Sequence, residues 1–208
     1  MEYNNPDLAI IYNNIAITYQ AMQDFQKTLE YQKKCLAIRE EILPEKHQDL
    51  ANIYNNIALT YQVLTNFQKA LEYQKKCLAI REEILPEKHP DLATVYNNIA
   101  LTYQDLTNFQ KALEYQEKCL AIREEILSEN HPDLASIYNN IAASFANLQQ
   151  FQRALNYQKK CLTIRSQILS AKNQDLGEAY INISILYLYL SQFPEALIHI
   201  EKAITIYK

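Results

Sequence analysis

The stretch YNNIALTYQ occupies Tyr54–Gln62 and returns unchanged at Tyr96–Gln104. Variants stand at Tyr12–Gln20 (YNNIAITYQ) and Tyr138–Ala146 (YNNIAASFA), each copy beginning 42 residues after the last. Tyr96, Ile99, Ala100 and Tyr103 fall at the spacing of one face of an α-helix. Asparagine suits a helix interior poorly, because its side chain competes for the backbone's hydrogen bonds. A pair of them in every copy therefore asks for a reason.

The period runs through the whole chain and sets its organisation. The units are Asn5–Lys46, His47–Lys88, His89–Asn130, His131–Lys172 and a shorter Asn173–Lys208. The second and third differ at seven of 42 positions, which fits a recent duplication or a deliberately built array. Each unit carries two helical patterns. In the third, Leu92, Tyr96, Ile99, Ala100, Tyr103 and Leu106 line one face, and Pro90 and Asp91 suit a helix start. The second pattern starts at a cap, Thr107 or Asn108. Its apolar stripe runs Phe109, Ala112, Leu113, Cys119, Leu120, Ile126 and Leu127. The proline of SENHP then stops it. Two such helices cannot cover both apolar faces alone, whereas stacked copies can. The expectation is an all-α chain, an α-solenoid forming one domain over 1–208.

Composition narrows the function. There is one glycine, Gly177, and there are six prolines, too few turn residues for hairpins or phosphate-cradling loops. A net charge of −4 without a basic patch argues against nucleic acid. No apolar run approaches the ~20 residues that span a bilayer, and the first ten residues do not read as a signal peptide. Cys35, Cys77, Cys119 and Cys161 lie 42 residues apart. Stacked helix layers sit roughly 10 Å apart, too far for a disulfide, so these read as buried thiols in a reducing, cytoplasmic setting. His47, His89 and His131 are spread along the period and cannot converge on a metal; they read as helix starts. Arg39, Arg81, Arg123 and Arg165 suit ion pairs with a neighbouring helix. Glu40–Glu41 and its copies read as a solvated helix end. No Ser/His/Asp or Cys/His set shows catalytic spacing. The chain is therefore expected not to be an enzyme and to need no cofactor.

Small residues recur where paired helices must approach, at Ala58, Ala100 and Ala142 and at Ala70, Ala112 and Ala154. Aromatics recur at Tyr61, Tyr103 and Phe145 and at Phe67, Phe109 and Phe151. This pattern resembles the tetratricopeptide repeat. The 42-residue length, HPDLA, YNNIA and CLAIREEIL are similar to the kinesin light chain and nephrocystin type. The resemblance implies a right-handed superhelix whose first helices line a concave surface. Two departures stand out. The family's turn glycine is replaced by Gln23, Thr65, Thr107, Gln149 and Ser191, so the left-handed conformation is expected at Asp24, Asn66 or Asn108. An aromatic of the second helix is replaced by Gln32, Gln74, Gln116 and Gln158, with Tyr31, Tyr73, Tyr115 and Tyr157 as candidates to fill that space.

At about 100° per residue, Asn98 falls about 200° from Tyr96, away from the core face. Thr94, Leu101 and Asp105 share its side. The equivalent stripe holds Asn14, Asn56, Asn98, Asn140 and Asn182, with Ile17, Leu59, Leu101 and Ile185 as apolar neighbours. A side-chain amide both donates and accepts, so it can pair with the N–H and C=O of an extended peptide. The resemblance implies the same role, since such asparagines commonly hold a ligand's backbone. The first residue of each pair, Asn13, Asn55, Asn97 or Asn139, sits at the edge of the packed face and reads as structural.

The expected function is a non-enzymatic protein–protein interaction scaffold, holding an extended peptide in the concave groove through Asn14, Asn56, Asn98, Asn140 and Asn182. Leu59, Leu101 and Asp105 would flank the ligand. The stripe has no Lys or Arg, and Asp105 and Glu178 suit a basic peptide residue. Alternatives are the regulatory or sensing region of a larger multidomain protein, or self-association through the unusually apolar C-terminal repeat. The expected partner is a protein or peptide, with no nucleic acid and no membrane.

Overall fold

The computed structural model describes residues 5–170 and 173–208. Residues 1–4, at the chain start, and 171–172, where the fourth repeat unit ends, lie outside the described residues. Ten helices and no strand occur among the described residues. By its contacts the chain divides into two compact units, Met1–Thr107 and Asn108–Lys208.

The first unit holds α1 (Pro6–Ala21), α2 (Phe25–Ile42), α3 (Gln48–Val63), α4 (Phe67–Ile84) and α5 (Pro90–Asp105). Each packs on the next in sequence. The second holds α6 (Phe109–Ile126), α7 (Pro132–Asn147), α8 (Phe151–Ile168), α9 (Gln174–Tyr189) and α10 (Phe193–Tyr207), again packed in sequence. Of the residues expected in the core, Ile99, Ala100, Ala112 and Leu113 are buried, whereas Ile126, at the solvated end of α6, is 40% exposed. Ile57, Ile99, Ala58 and Ala100 are buried in the first unit, and Ile141, Ile183, Ala142 and Ala154 in the second. Each fully buried Ile is worth about 1.5–3 kcal/mol over leaving it in water.

Eight of the ten helix starts among the described residues carry a side-chain cap; α8 and α10, which follow Gln150 and Gln192, do not. The imidazole Nδ1 of His47, His89 and His131 accepts the backbone N–H two residues on, at 3.1 Å. Asn5 and Asn173 do the same for α1 and α9. These are N-caps, satisfying one of the orphan donors of the first turn. Asp24, Asn66 and Asn108 cap α2, α4 and α6 through their side chains.

That last finding corrects an expectation about the turns. The left-handed residues are Gln23, Thr65, Thr107, Gln149 and Ser191, with φ of 56–60°, and not Asp24, Asn66 or Asn108. Asp24 N–H bonds to Tyr19 O and Gln23 N–H to Gln20 O, both at 3.0 Å. This is the Schellman closure, which puts the left-handed residue directly after the C-cap. The next residue caps the following helix with a negative φ, −94° to −87° at Asp24, Asn66 and Asn108. Glycine's position is thus filled by residues that pay steric strain, and two of them are β-branched threonines.

Candidate functional site

The asparagine stripe faces out of the core in both units. On α1, α3 and α5, Asn14 and Asn56 are exposed and Asn98 is half-buried. Ile17 and Leu59 beside them are exposed, Leu101 is half-buried and Asp105 is exposed at the end of α5. Desolvation holds the Asp105 carboxyl above its ordinary range. On α7 and α9, Asn140 and Asn182 are half-buried, next to exposed Ala143, Ile185 and Tyr189. Adjacent first helices touch through this face. Gln62 Nε2 on α3 donates to Thr102 Oγ1 on α5 at 2.9 Å. Asn182 Nδ2 on α9 reaches Asn139 Oδ1 on α7 at 3.5 Å.

Behind the stripe lies a device that sequence reading left unassigned. Gln32, Gln74, Gln116 and Gln158 are buried. Gln32 Nε2 donates to Asn56 O at 3.4 Å, and Gln74 Nε2 to Asn98 O at 3.2 Å. The same two carbonyls accept the hydroxyls of Thr60 and Thr102. Glutamine thus ties the second helix of one repeat to the backbone of the next repeat's outward asparagine. The connection is incomplete: Oε1 of Gln32 and Gln74 and both amide ends of Gln116 have no partner. The tyrosines do not take over this buried position. Tyr31, Tyr73 and Tyr157 remain half-buried and stack on Tyr19, Tyr61 and Phe145. The signal was present in the sequence as one polar residue recurring every 42 positions inside an apolar stripe.

Asn139 has the inter-helix role expected of the first asparagine in each pair. Its Oδ1 accepts Gln158 Nε2 at 3.2 Å as well as the Asn182 amide. The arginines also join repeats, mainly through backbone. Arg39, Arg81, Arg123 and Arg165 donate to the carbonyls of Asp49, Asp91, Asp133 and Asp175 at 2.8–3.3 Å. The carboxylates of Asp49, Asp91 and Asp133 stand at 3.7–4.0 Å from the guanidinium groups. Glu40 does more than meet solvent: it accepts the Tyr54 hydroxyl at 2.7 Å, and Glu82 and Glu124 do the same for Tyr96 and Tyr138. Burial first, and then that carboxylate, push the Tyr54 and Tyr138 phenols up. All four cysteines are free and buried. Burial raises the Cys77 and Cys119 thiols to about 11. No group of three or more His, Cys, Asp or Glu gathers to hold a metal among the described residues. No helix there is long and apolar enough to cross a membrane.

The repeats are helix pairs joined by Schellman turns, with small residues buried where the helices meet. The tetratricopeptide-repeat sequence profile matches residues 7–83, 49–125, 91–167 and 133–208. The chain belongs to the tetratricopeptide-repeat family. No curated protein sequence matches it. Among solved structures, the tetratricopeptide fold here is similar to the nearly identical TPR-like repeats of a Podosopora anserina protein assigned as a kinesin light chain. That likeness has a TM-score of 0.83 and 23% identity, over 99% of this chain and 97% of the other. BtubC (BKLC) from P. vanneervenii gives 0.82 at 25% identity, over 96% of this chain and 80% of the other. The apo form of RapI gives 0.82 at 17% identity, over 96% of this chain and 53% of its own. Likeness at these identities shows the fold. Tetratricopeptide repeats commonly mediate protein–protein interaction.

Proposed function

We propose that this tetratricopeptide-repeat chain is a non-enzymatic scaffold that binds an extended peptide along the outward face of its first helices. The observation that supports this reading most is the placement of the second asparagines. Asn14, Asn56 and Asn98 in one unit, and Asn140 and Asn182 in the other, point away from the core at equivalent positions. The amides of Asn14, Asn56 and Asn98 offer a donor and an acceptor at each step, which suits a main chain whose N–H and C=O need partners. Leu59 and Leu101 add apolar contact. Asp105, an anion partly stripped of water, favours a basic ligand residue beside it.

A peptide-display screen of the whole chain tests this beside an Asn56→Ala, Asn98→Ala, Asn140→Ala variant. Alanine is the better helix former, so the variant should fold, and circular dichroism checks it. Peptides retained by the parent and lost by the folded variant are the expected result. Equal retention by both would sink the role of the amides.

A second reading, self-association, rests on α10. Leu197 and Ile204 are 60% and 46% exposed, whereas Leu29 and Leu36, at the equivalent α2 positions, are buried. The inter-repeat glutamine is Ile200 here. The arginine is Tyr207, which folds back so that a Cβ on Gly177 would meet its ring at 2.7 Å. An apolar face without polar latches suits a second copy meeting it with its own. Sedimentation would show a concentration-dependent dimer that Leu197→Glu abolishes; a strict monomer at high concentration contradicts this reading.

A further inference from the structure

Between α7, α8 and α9 lies a cleft of about 250 Å³. Its origin can be traced position by position. In the first unit the Gln62–Thr102 bridge closes the gap between two first helices. The equivalent positions on α7 and α9 are Ala146 and Leu186, which cannot form that bridge. The bulk of Leu59 and Leu101 is likewise cut back to Ala143. Gln158 has turned as well. Its amide goes to Asn139 Oδ1, whereas Gln74 donates to the carbonyl of the next first helix. Four changes at one place thus open a recess that the near-identical second and third repeats have no counterpart for in sequence.

The recess mixes apolar groups with amides. Ala142, Leu186 and the Gln158 amide are its buried lining, and Ile185 and Tyr189 stand at its side, 43% and 63% exposed. Tyr189 is held by stacking on Phe151, with ring centres 4.5 Å apart and planes 3° from parallel. Around it, Asn139, Asn147 and Asn182 supply amides. Asn147 spends its Nδ2 on Ala143 O at 2.9 Å, which leaves its carbonyl oxygen available.

Size narrows the occupant. At about 250 Å³ the cleft lies at the small end of the ~300–1,000 Å³ that ligand and cofactor pockets span. A helix with its side chains is about 10 Å across and would not enter. One side chain, whose main chain lies outside along the exposed amides, fits both the volume and the largely apolar lining. We infer that the α7–α9 cleft is a specificity pocket for one bulky apolar residue of an extended peptide, an inference that rests on the peptide-binding reading above.

The test fills the pocket with residues native to the same positions of the second and third repeats. Ala143→Leu with Ala146→Gln in the full chain should fold, as circular dichroism will verify. The parent should select peptides with a bulky apolar residue at one fixed position. The filled variant should bind those peptides roughly 10-fold or more weakly, as the loss of a buried anchor does. Peptides that bind the parent with no such position, or that bind the filled variant equally well, would overturn the pocket and leave the amide reading standing. Failure of the parent to bind any peptide would overturn both. Sub-millimolar binding of N-acetyl-phenylalaninamide alone would overturn the peptide-borne occupant in favour of a small ligand.

Discussion

Single residues carry costs that the fold tolerates for its connections. Thr65 and Thr107 sit at φ 56°, where a β-branched side chain is strained. Relief of that strain, about 1–2 kcal/mol, exceeds the flexibility that glycine adds to the unfolded chain, about 0.4–1 kcal/mol. Thr65→Gly should therefore raise the urea midpoint, by about 0.5–1 kcal/mol of stability; a lower midpoint would contradict the strain account. Gln116 is fully buried with neither amide end paired, whereas Gln74 keeps one bond. Gln116→Leu should stabilise by about 1–2 kcal/mol, and Gln74→Leu should be close to neutral. Equal effects from the two would mean that the orphaned amide is not what matters. Asp105 adds a pH dependence. Its raised carboxyl means that the folded chain holds that proton more tightly than the unfolded chain. The associated stability is present at low pH and is lost as pH rises through the folded value. Asp105→Asn should melt higher than the parent at pH 7, with the difference vanishing towards pH 3. A difference that grows in acid would reverse the assignment.

At the scale of elements, the helix starts were legible and the helix ends were not. His89 precedes Pro90 and Asp91, and its imidazole takes the Asp91 N–H. His89→Ala should cost about 1 kcal/mol and His89→Asn almost nothing, since Asn5 and Asn173 already cap α1 and α9. Thermal melts of the two variants check this, and equal losses would remove the capping role. The turn misled because asparagine and aspartate have the best claim to a left-handed backbone after glycine. Asn66 and Asp24 were needed as caps, and a residue cannot serve both geometries. The outward stripe was readable from periodicity alone, because angle along a helix is fixed by spacing. The glutamine ladder and the Tyr54–Glu40 pair were not, since both depend on which atoms of one repeat reach the next. The cleft at Ala143 and Ala146 was hidden for the same reason: it becomes visible only once the Gln62–Thr102 bridge is seen to have no counterpart between α7 and α9.

At the scale of the molecule, each repeat is held by its neighbours, so protection should vary along the chain. In α1, Ala9 and Ala16 are the buried residues, while Ile10, Ile17 and Met22 are exposed. Cys35, which lies on the adjoining α2, should therefore react with a thiol reagent ahead of Cys77, whose raised thiol is shut in by the repeats on both sides. Mass-spectrometric labelling at pH 8 reads the order directly; Cys77 reacting first would contradict it. The central claim concerns the face that these repeats hold in place, and side-chain amide resonances of the asparagines report on it most directly. On titration with a display-selected peptide, the Nδ2 signals of Asn56 and Asn98 should shift together and saturate at one stoichiometry. Saturable binding with those signals unmoved, and shifts confined to α10, would contradict the account.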